Sequence, residues 1–170
     1  SIDTGDKGDA TWALGISSKP YQQLLSWDSP GYVDVYLVHT GNGATRKVME
    51  KLQGRASLSP GGKYVYWWDR HKCAWFAMDV ENARTVCMTT DIPHPLEDEL
   101  NYRPMTPGAY GSGGWTTGDA GFLVYDKHDI WLCDPAGKAK ARIITAEEGR
   151  ANDLRFRVID LDPEVDYVAE

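Results

Sequence analysis

The sequence has no long hydrophobic run. Its most strongly apolar stretches, Tyr64 to Trp68 and Phe122 to Tyr125, are of strand length, and each is closed by an Asp. A helix that crosses a bilayer needs about 20 apolar residues, so no membrane insertion of that kind is expected. Basic charge is short as well: 18 Lys and Arg stand against 25 Asp and Glu, for a net charge of −7. Nucleic acid and anionic membrane surfaces both call for a basic footprint. No Lys/Arg run or aromatic-interleaved basic face occurs, so neither is expected as a partner. Cysteine is scarce. Cys73, Cys87 and Cys133 are odd in number and lack metal-site spacing, and they read as small buried residues of strands. No secretory leader is visible.

Catalytic signatures are missing too. A nucleophile elbow needs Gly-x-Ser-x-Gly between a strand and a helix, and the nearest approach, Gly111-Ser112-Gly113, lacks the spacing and reads as a glycine loop. The four histidines (His39, His71, His94, His128) fall in turns or connectors, none with a carboxylate and a Ser or Cys at useful spacing. There is no Gly-x-x-x-x-Gly-Lys phosphate cradle. The sequence therefore offers no catalytic residue, no cofactor site and no metal site.

Aromatic and turn-forming residues are plentiful: seven Trp, nine Tyr, 17 Gly and nine Pro, dispersed over 170 residues. That pairing favours β structure over helix. A chain of this length makes one domain and buries roughly 70% of its unfolded surface.

The decisive signal is a repeat. Ser59-Pro60-Gly61-Gly62-Lys63-Tyr64-Val65-Tyr66-Trp67-Trp68-Asp69 opens with a turn, continues as an aromatic and β-branched run, and closes on Asp. Thr116 to Asp126 has the same length and layout, and Ser18 to Asp28 ends the same way. The closing aromatic-Asp pairs begin at Trp27, Trp68 and Tyr125. After each pair comes a strand, a turn and a strand. These are Tyr32–Val38 with Arg46–Met49, Ala74–Asp79 with Arg84–Met88, and Asp129–Cys133 with Ala141–Ile144. An apolar strand precedes each opening turn: Thr11–Ile16, Arg55–Leu58 and Gly113–Trp115. Four strands recurring at about 40 residues is the pattern of a β-propeller. Phe156 to Pro163 begins a fourth unit, with Tyr167-Val168 where Tyr64-Val65 stands in the second.

The expected fold is thus all-β, a partial propeller of about three four-stranded antiparallel blades near residues 11–50, 54–90 and 111–146. A stub of a fourth spans 154–170, and an insertion loop spans 91–110. Closed propellers have about 4–8 blades, and a three-blade arc leaves two apolar faces open. A piece of a longer chain, or self-association of the open faces, is the expectation.

The turn Leu58-Ser59-Pro60-Gly61-Gly62-Lys63-Tyr64 resembles the repeat of TolB-like and peptidase propellers, with Gly61 in place of their usual Asp. The third unit is more specific. Ile92-Pro93-His94-Pro95, Tyr110-Gly111, Gly114-Trp115-Thr116 and Tyr125-Asp126-Lys127-His128-Asp129-Ile130-Trp131 are similar to the N-terminal propeller of prolyl-oligopeptidase-family serine peptidases, in the dipeptidyl-aminopeptidase-like branch common in Bacteroidetes. The resemblance implies a non-catalytic segment, periplasmic or secreted, that gates peptide substrate access to a C-terminal α/β-hydrolase domain of the same parent chain. A TolB-like interaction module with no enzyme attached is the alternative.

Within the insertion, Glu97, Glu99, Tyr102 and Arg103 are the candidate substrate-binding residues. In dipeptidyl aminopeptidases a glutamate pair on a propeller insertion holds the substrate's ammonium, and a carboxylate pair can do so by charge-assisted hydrogen bonds. This loop lacks that family's helical Glu-Glu signature, and a solvated acidic loop is the plainer reading. Asp28, Asp69 and Asp126 read as strand-end acceptors for turn N–H groups rather than metal ligands. Trp67, Trp68, Trp75, Trp115 and Trp131 read as packing between blades rather than as a stacking platform.

Overall fold

The computed structural model describes residues 2–3, 11–26, 29–102, 105–159 and 167–168. Among them the strands form three sheets. The first is an antiparallel meander of β1 (Ile2–Asp3), β2 (Trp12–Ser17), β3 (Tyr32–His39) and β4 (Thr45–Gln53). The second orders β5 (Ala56–Leu58), β6 (Tyr64–Asp69), β7 (Ala74–Asp79) and β8 (Thr85–Cys87) in the same way. The third runs β9 (Ser112–Thr116), β10 (Phe122–Tyr125), β11 (Ile130–Cys133) and β12 (Arg142–Ile143), with β13 (Tyr167–Val168) added beside β9. The protein is all-β and its sheets are antiparallel except at that last edge. None of the described helices is long and apolar enough to cross a membrane.

Strand alternation stacks the sheets. Successive side chains point to opposite faces, so the adjacent Trp67 and Trp68 of β6 enter different layers. Trp67 joins Leu14, Val35, Leu37, Ala56, Leu58, Val65 and Met78 between the first and second sheets. Trp68 joins Ala77, Trp115, Phe122, Val124, Trp131 and Cys133 between the second and third. Register accounts for this: Trp67 pairs with Phe76 and the two rings stack, while Trp68 pairs with Trp75.

Two expectations from the sequence are corrected. Lys19–Ser26 is a 3-10 helix, not a strand. Tyr21 and Leu24 recur at the three-residue period of that helix, and the Tyr21 hydroxyl donates to Asp34 of β3 at 2.6 Å. β2 pairs directly with β3, so the first sheet takes its outer strand from Ile2–Asp3 and extends beyond the expected 11–50. The aromatic-Asp pair Trp27-Asp28 lies outside the described residues.

The second correction concerns the stub. Tyr167–Val168 pairs parallel with β9 (Tyr167 to Trp115) and so belongs to the third sheet, where β9 presents the free backbone groups of an edge. Upstream, Phe156 and Val158 lie over Leu123, Tyr125 and Ile130 on the outward face of that sheet. Their backbone bonds go to a turn and a side chain rather than to another strand. Phe156 N–H donates to the His128 carbonyl (2.8 Å), and Val158 N–H to the Tyr125 hydroxyl (3.1 Å).

Candidate functional site

Four buried carboxylates come first, because a buried acid is either a structural hub or a reactive group. Asp126 is fully buried. Its Oδ1 accepts the N–H groups of His128 (2.6 Å) and Asp129 (2.7 Å), and its Oδ2 the indole N–H of Trp131 (3.0 Å), with Arg150 Nη2 at 3.5 Å. Burial pushes its carboxyl up, but the Asp129 N–H, the Trp131 indole, the His128 N–H and Arg150 outweigh it and hold the group below the usual carboxylate range. Asp129 accepts from the Thr145 hydroxyl (2.6 Å) and from Gly149 N–H (3.0 Å) and Arg150 N–H (3.1 Å). A Cβ at Gly149 would meet both Asp129 Oδ1 and the His128 carbonyl at 2.7 Å, so only glycine fits.

Asp119 joins two sheets. It takes the Ser59 hydroxyl (2.6 Å), Gly61 N–H (3.0 Å) and Lys63 N–H (3.2 Å), tying the β5–β6 turn to the equivalent turn before β10. Asp34 accepts from Tyr21, from Lys47 Nζ (3.0 Å) and from Lys51 N–H (3.1 Å). Those three donors, Tyr21 first, lower its pKa to about 2. Each of these acids has its acceptor positions engaged, which suits scaffolding and leaves no free base. Asp69 also accepts its turn N–H groups, from His71 and Lys72, as Asp126 does.

The histidines assemble no catalytic set. His39 packs edge-on against Trp12 and His94 tilts against Trp131. His128 Nδ1 meets the Leu154 carbonyl at 2.9 Å, and His71 is an exposed turn residue. The Ser59 hydroxyl is consumed by Asp119 and by Tyr64 N–H. Cys133 is buried, which raises its thiol pKa to about 12 and leaves it a poor nucleophile. Among the described residues no group of three or more His, Cys, Asp or Glu could hold a metal ion.

The insertion is an arm anchored at its root. Leu96 is buried in the layer between the second and third sheets, and a bridge from Glu97 to Ala109 closes the arm, with Asp98 N–H donating to Gly108 at 2.8 Å. Two clefts flank it. One, of about 310 Å³, is lined by Arg70, Asp98, Leu100, Asn101, Tyr102, Met105, Gly108 and Ala109. The other, of about 410 Å³, lies between the start of β9 and the second sheet, with Arg55, Ser57, Tyr66, Trp67, Trp68, Arg70 and Trp75 in its wall. Arg70, Gly108 and Ala109 line both. A third cleft of about 380 Å³, beside Trp12 and the Gly61–Tyr64 turn, has its lysine Lys63 tied to the Gly118 carbonyl at 2.7 Å.

Tyr102 lines the smaller cleft, almost wholly exposed. Glu97 and Glu99 do not line it. The Glu97 carboxylate accepts its neighbour's N–H at Leu96 (3.1 Å), and that of Glu99 faces the Tyr110 hydroxyl (3.4 Å). Arg103 lies outside the described residues. Arg55 and Arg70, which sequence reasoning passed over, are the cations in the larger cleft. Arg70 directly follows the closing Asp69 of the repeat and Arg55 directly precedes β5, so their place in the repeat is the signal that could have found them.

No protein-family model matches the chain, and neither does any curated protein.

Proposed function

We propose that the three stacked sheets are successive blades of a β-propeller segment, non-catalytic in itself, that governs peptide access to a separate hydrolase domain of its parent. The observation that carries this is the division of Trp67 and Trp68 between two inter-sheet layers. Four-stranded antiparallel sheets that bury both faces against their neighbours are how radial repetition is built. The saturated acids and the dispersed histidines support a scaffold rather than an active centre. The Tyr-Asp-x-x-Asp-Ile-Trp string is a hydrogen-bonded corner that fixes β10 to β11 and holds the 145–150 segment.

Aminoacyl-proline and alanyl chromogenic substrates test the non-catalytic part directly: the chain is expected to release no chromophore, and reproducible turnover would overturn it. The hydrolase partner is tested on the parent gene, where a downstream Gly-x-Ser-x-Gly with a later Asp and His is expected.

A second reading, an interaction module without an enzyme, is favoured by one feature. Leu100 and Tyr102 stand 67% and 90% exposed on the insertion arm, an apolar pair that packing does not explain. A parent with further blades and no hydrolase motif would select it.

A further inference from the structure

The larger cleft combines features that the sheet architecture does not require. Arg55 is exposed, and its guanidinium makes no hydrogen bond or ion pair among the described residues. Arg70 is fixed by one bond, Nη1 to the Thr106 carbonyl at 2.7 Å, which leaves its remaining guanidinium N–H groups without partners among the described residues. Among the described residues no carboxylate lines this cleft, although the chain carries a net charge of −7. Trp68 and Trp75 form part of its wall, and each has a buried indole N–H with no acceptor among the described residues.

We propose that this cleft captures a carboxylate borne by a short peptide, with Arg55 and Arg70 supplying the charge and Trp68 and Trp75 the apolar wall. The identification of a peptide rests on the gating reading above. A guanidinium presents parallel N–H donors that match the two oxygens of a carboxylate, a stronger pairing than a neutral hydrogen bond. Aromatic walls exclude water and strengthen that attraction. The tie to Thr106 holds Arg70 in place before any ligand arrives, so less side-chain freedom is lost on binding. A volume of about 410 Å³ lies within the range of small-ligand sites and seats one or two residues.

Calorimetric titration with three blocked tripeptides tests the proposal: acetyl-Ala-Ala-Phe with a free carboxylate, its amide, and acetyl-Ala-Asp-Phe amide. The free acid is expected to bind about tenfold or more tightly than the amide, the worth of one charge-assisted pair, with affinity falling as salt is added. Preference for the aspartyl amide over the plain amide would support the same capture and assign the carboxylate to a side chain. Arg55→Ala and Arg70→Ala should each abolish the preference. Arg55→Lys, which keeps the charge but not the fork, should retain part of it and guards against a folding artefact. Equal affinity for all three peptides, or binding by none, overturns the proposal. Chromatography of the same mixtures separates the two readings. Cleaved peptide would overturn the non-catalytic reading and leave the cleft standing, whereas intact peptide without discrimination would overturn the cleft alone.

Discussion

The two layers on either side of β6 are built from different materials. Between the first and second sheets the core is mostly aliphatic, with Leu14, Val35, Leu37, Leu58 and Val65 around a single stacked pair, Trp67 on Phe76. Between the second and third it is aromatic. Tyr64 stacks on Trp115, Tyr66 meets Trp115 and Phe122, and Trp75 lies edge-on to Phe122. The aromatic layer also carries a directional tie, the Asp119 clamp on the Ser59–Lys63 turn. Aliphatic burial is non-directional and sums with area, whereas aromatic pairs and buried hydrogen bonds fix one register. The first layer has one directional bond of its own, from Arg46 to the Val80 carbonyl, but the denser set of rings and clamp bonds in the second fixes the relative position of its sheets more closely, and both clefts beside the insertion arm depend on it.

The comparison breaks or holds most visibly with large-to-small substitutions. Trp115 is 2% exposed and touches both sheets of its layer. Trp115→Ala should cost about 3–5 kcal/mol in denaturant unfolding, and Leu37→Ala, in the aliphatic layer, about 2–4 kcal/mol. Beyond the totals, Trp115→Ala should loosen the larger cleft and Leu37→Ala should not, read as quenching of tryptophan fluorescence by acrylamide. Matching quenching in both variants would mean that the layers are not independent.

A smaller effect belongs to the clamp. Asn tolerates the left-handed backbone of residue 119 (φ +59°) but offers one acceptor oxygen where Asp119 uses two. Asp119→Asn should therefore cost about 1–3 kcal/mol, the penalty of a buried donor left unmade. The loss should appear chiefly as faster exchange of the Gly61 and Lys63 amide protons. Unchanged exchange at those two amides would show that the clamp is not what holds the turn.

Much of this packing was legible in the sequence. The expectation that Trp67, Trp68, Trp75, Trp115 and Trp131 pack between repeat units agrees with the layers they fill, although their division between two layers came only from the structure, and the turn residues of the second and third units line up well enough to identify their sheets. The first unit was misread because Tyr21 and Leu24 supply apolar residues without alternation, and a short 3-10 helix has no sequence signal stronger than that. The final segment was misread because Tyr167-Val168 matches a strand equally well beside β9 or in a new sheet, and pairing partners are a tertiary choice. The insertion's acidic residues drew the eye by composition. The cations of the cleft come from separate strand ends of the second sheet, brought to one end by the antiparallel pairing of β5 with β6, and only the approach of β9 turns that end into a cleft.

Acid should act on both ends of the stack at once. Donors hold the Asp34 carboxyl of the first sheet down at about 2; Asp126 is also held below the usual range, as is Asp134 in the turn after β11, whose carboxylate accepts the N–H groups of Ala139, Ala136 and Lys138. A depressed folded pKa gives stability that is complete above the unfolded value near 4 and is lost as pH falls from there toward 2. Melting temperature should fall across that window. Asp34→Asn should flatten the decline without removing it, because the third-sheet acids remain. An unaltered acid profile in that variant would place the whole effect in the third sheet.

The smallest effect is expected on the arm. Tyr102 projects from the arm at 90% exposure and Glu99 is also exposed. Surface substitutions away from buried features stay within about 0.5 kcal/mol, so Tyr102→Ser with Glu99→Gln should leave the melting temperature unchanged. The arm is held instead by Leu96, 3% exposed in the aromatic layer, and Leu96→Ala should destabilise where the double variant does not. That contrast assigns the arm's root to the scaffold and its tip to solvent or a partner. A clear loss of stability in the double variant would mean that the tip packs against the sheets, and the aromatic layer would then extend further along the arm than Leu96.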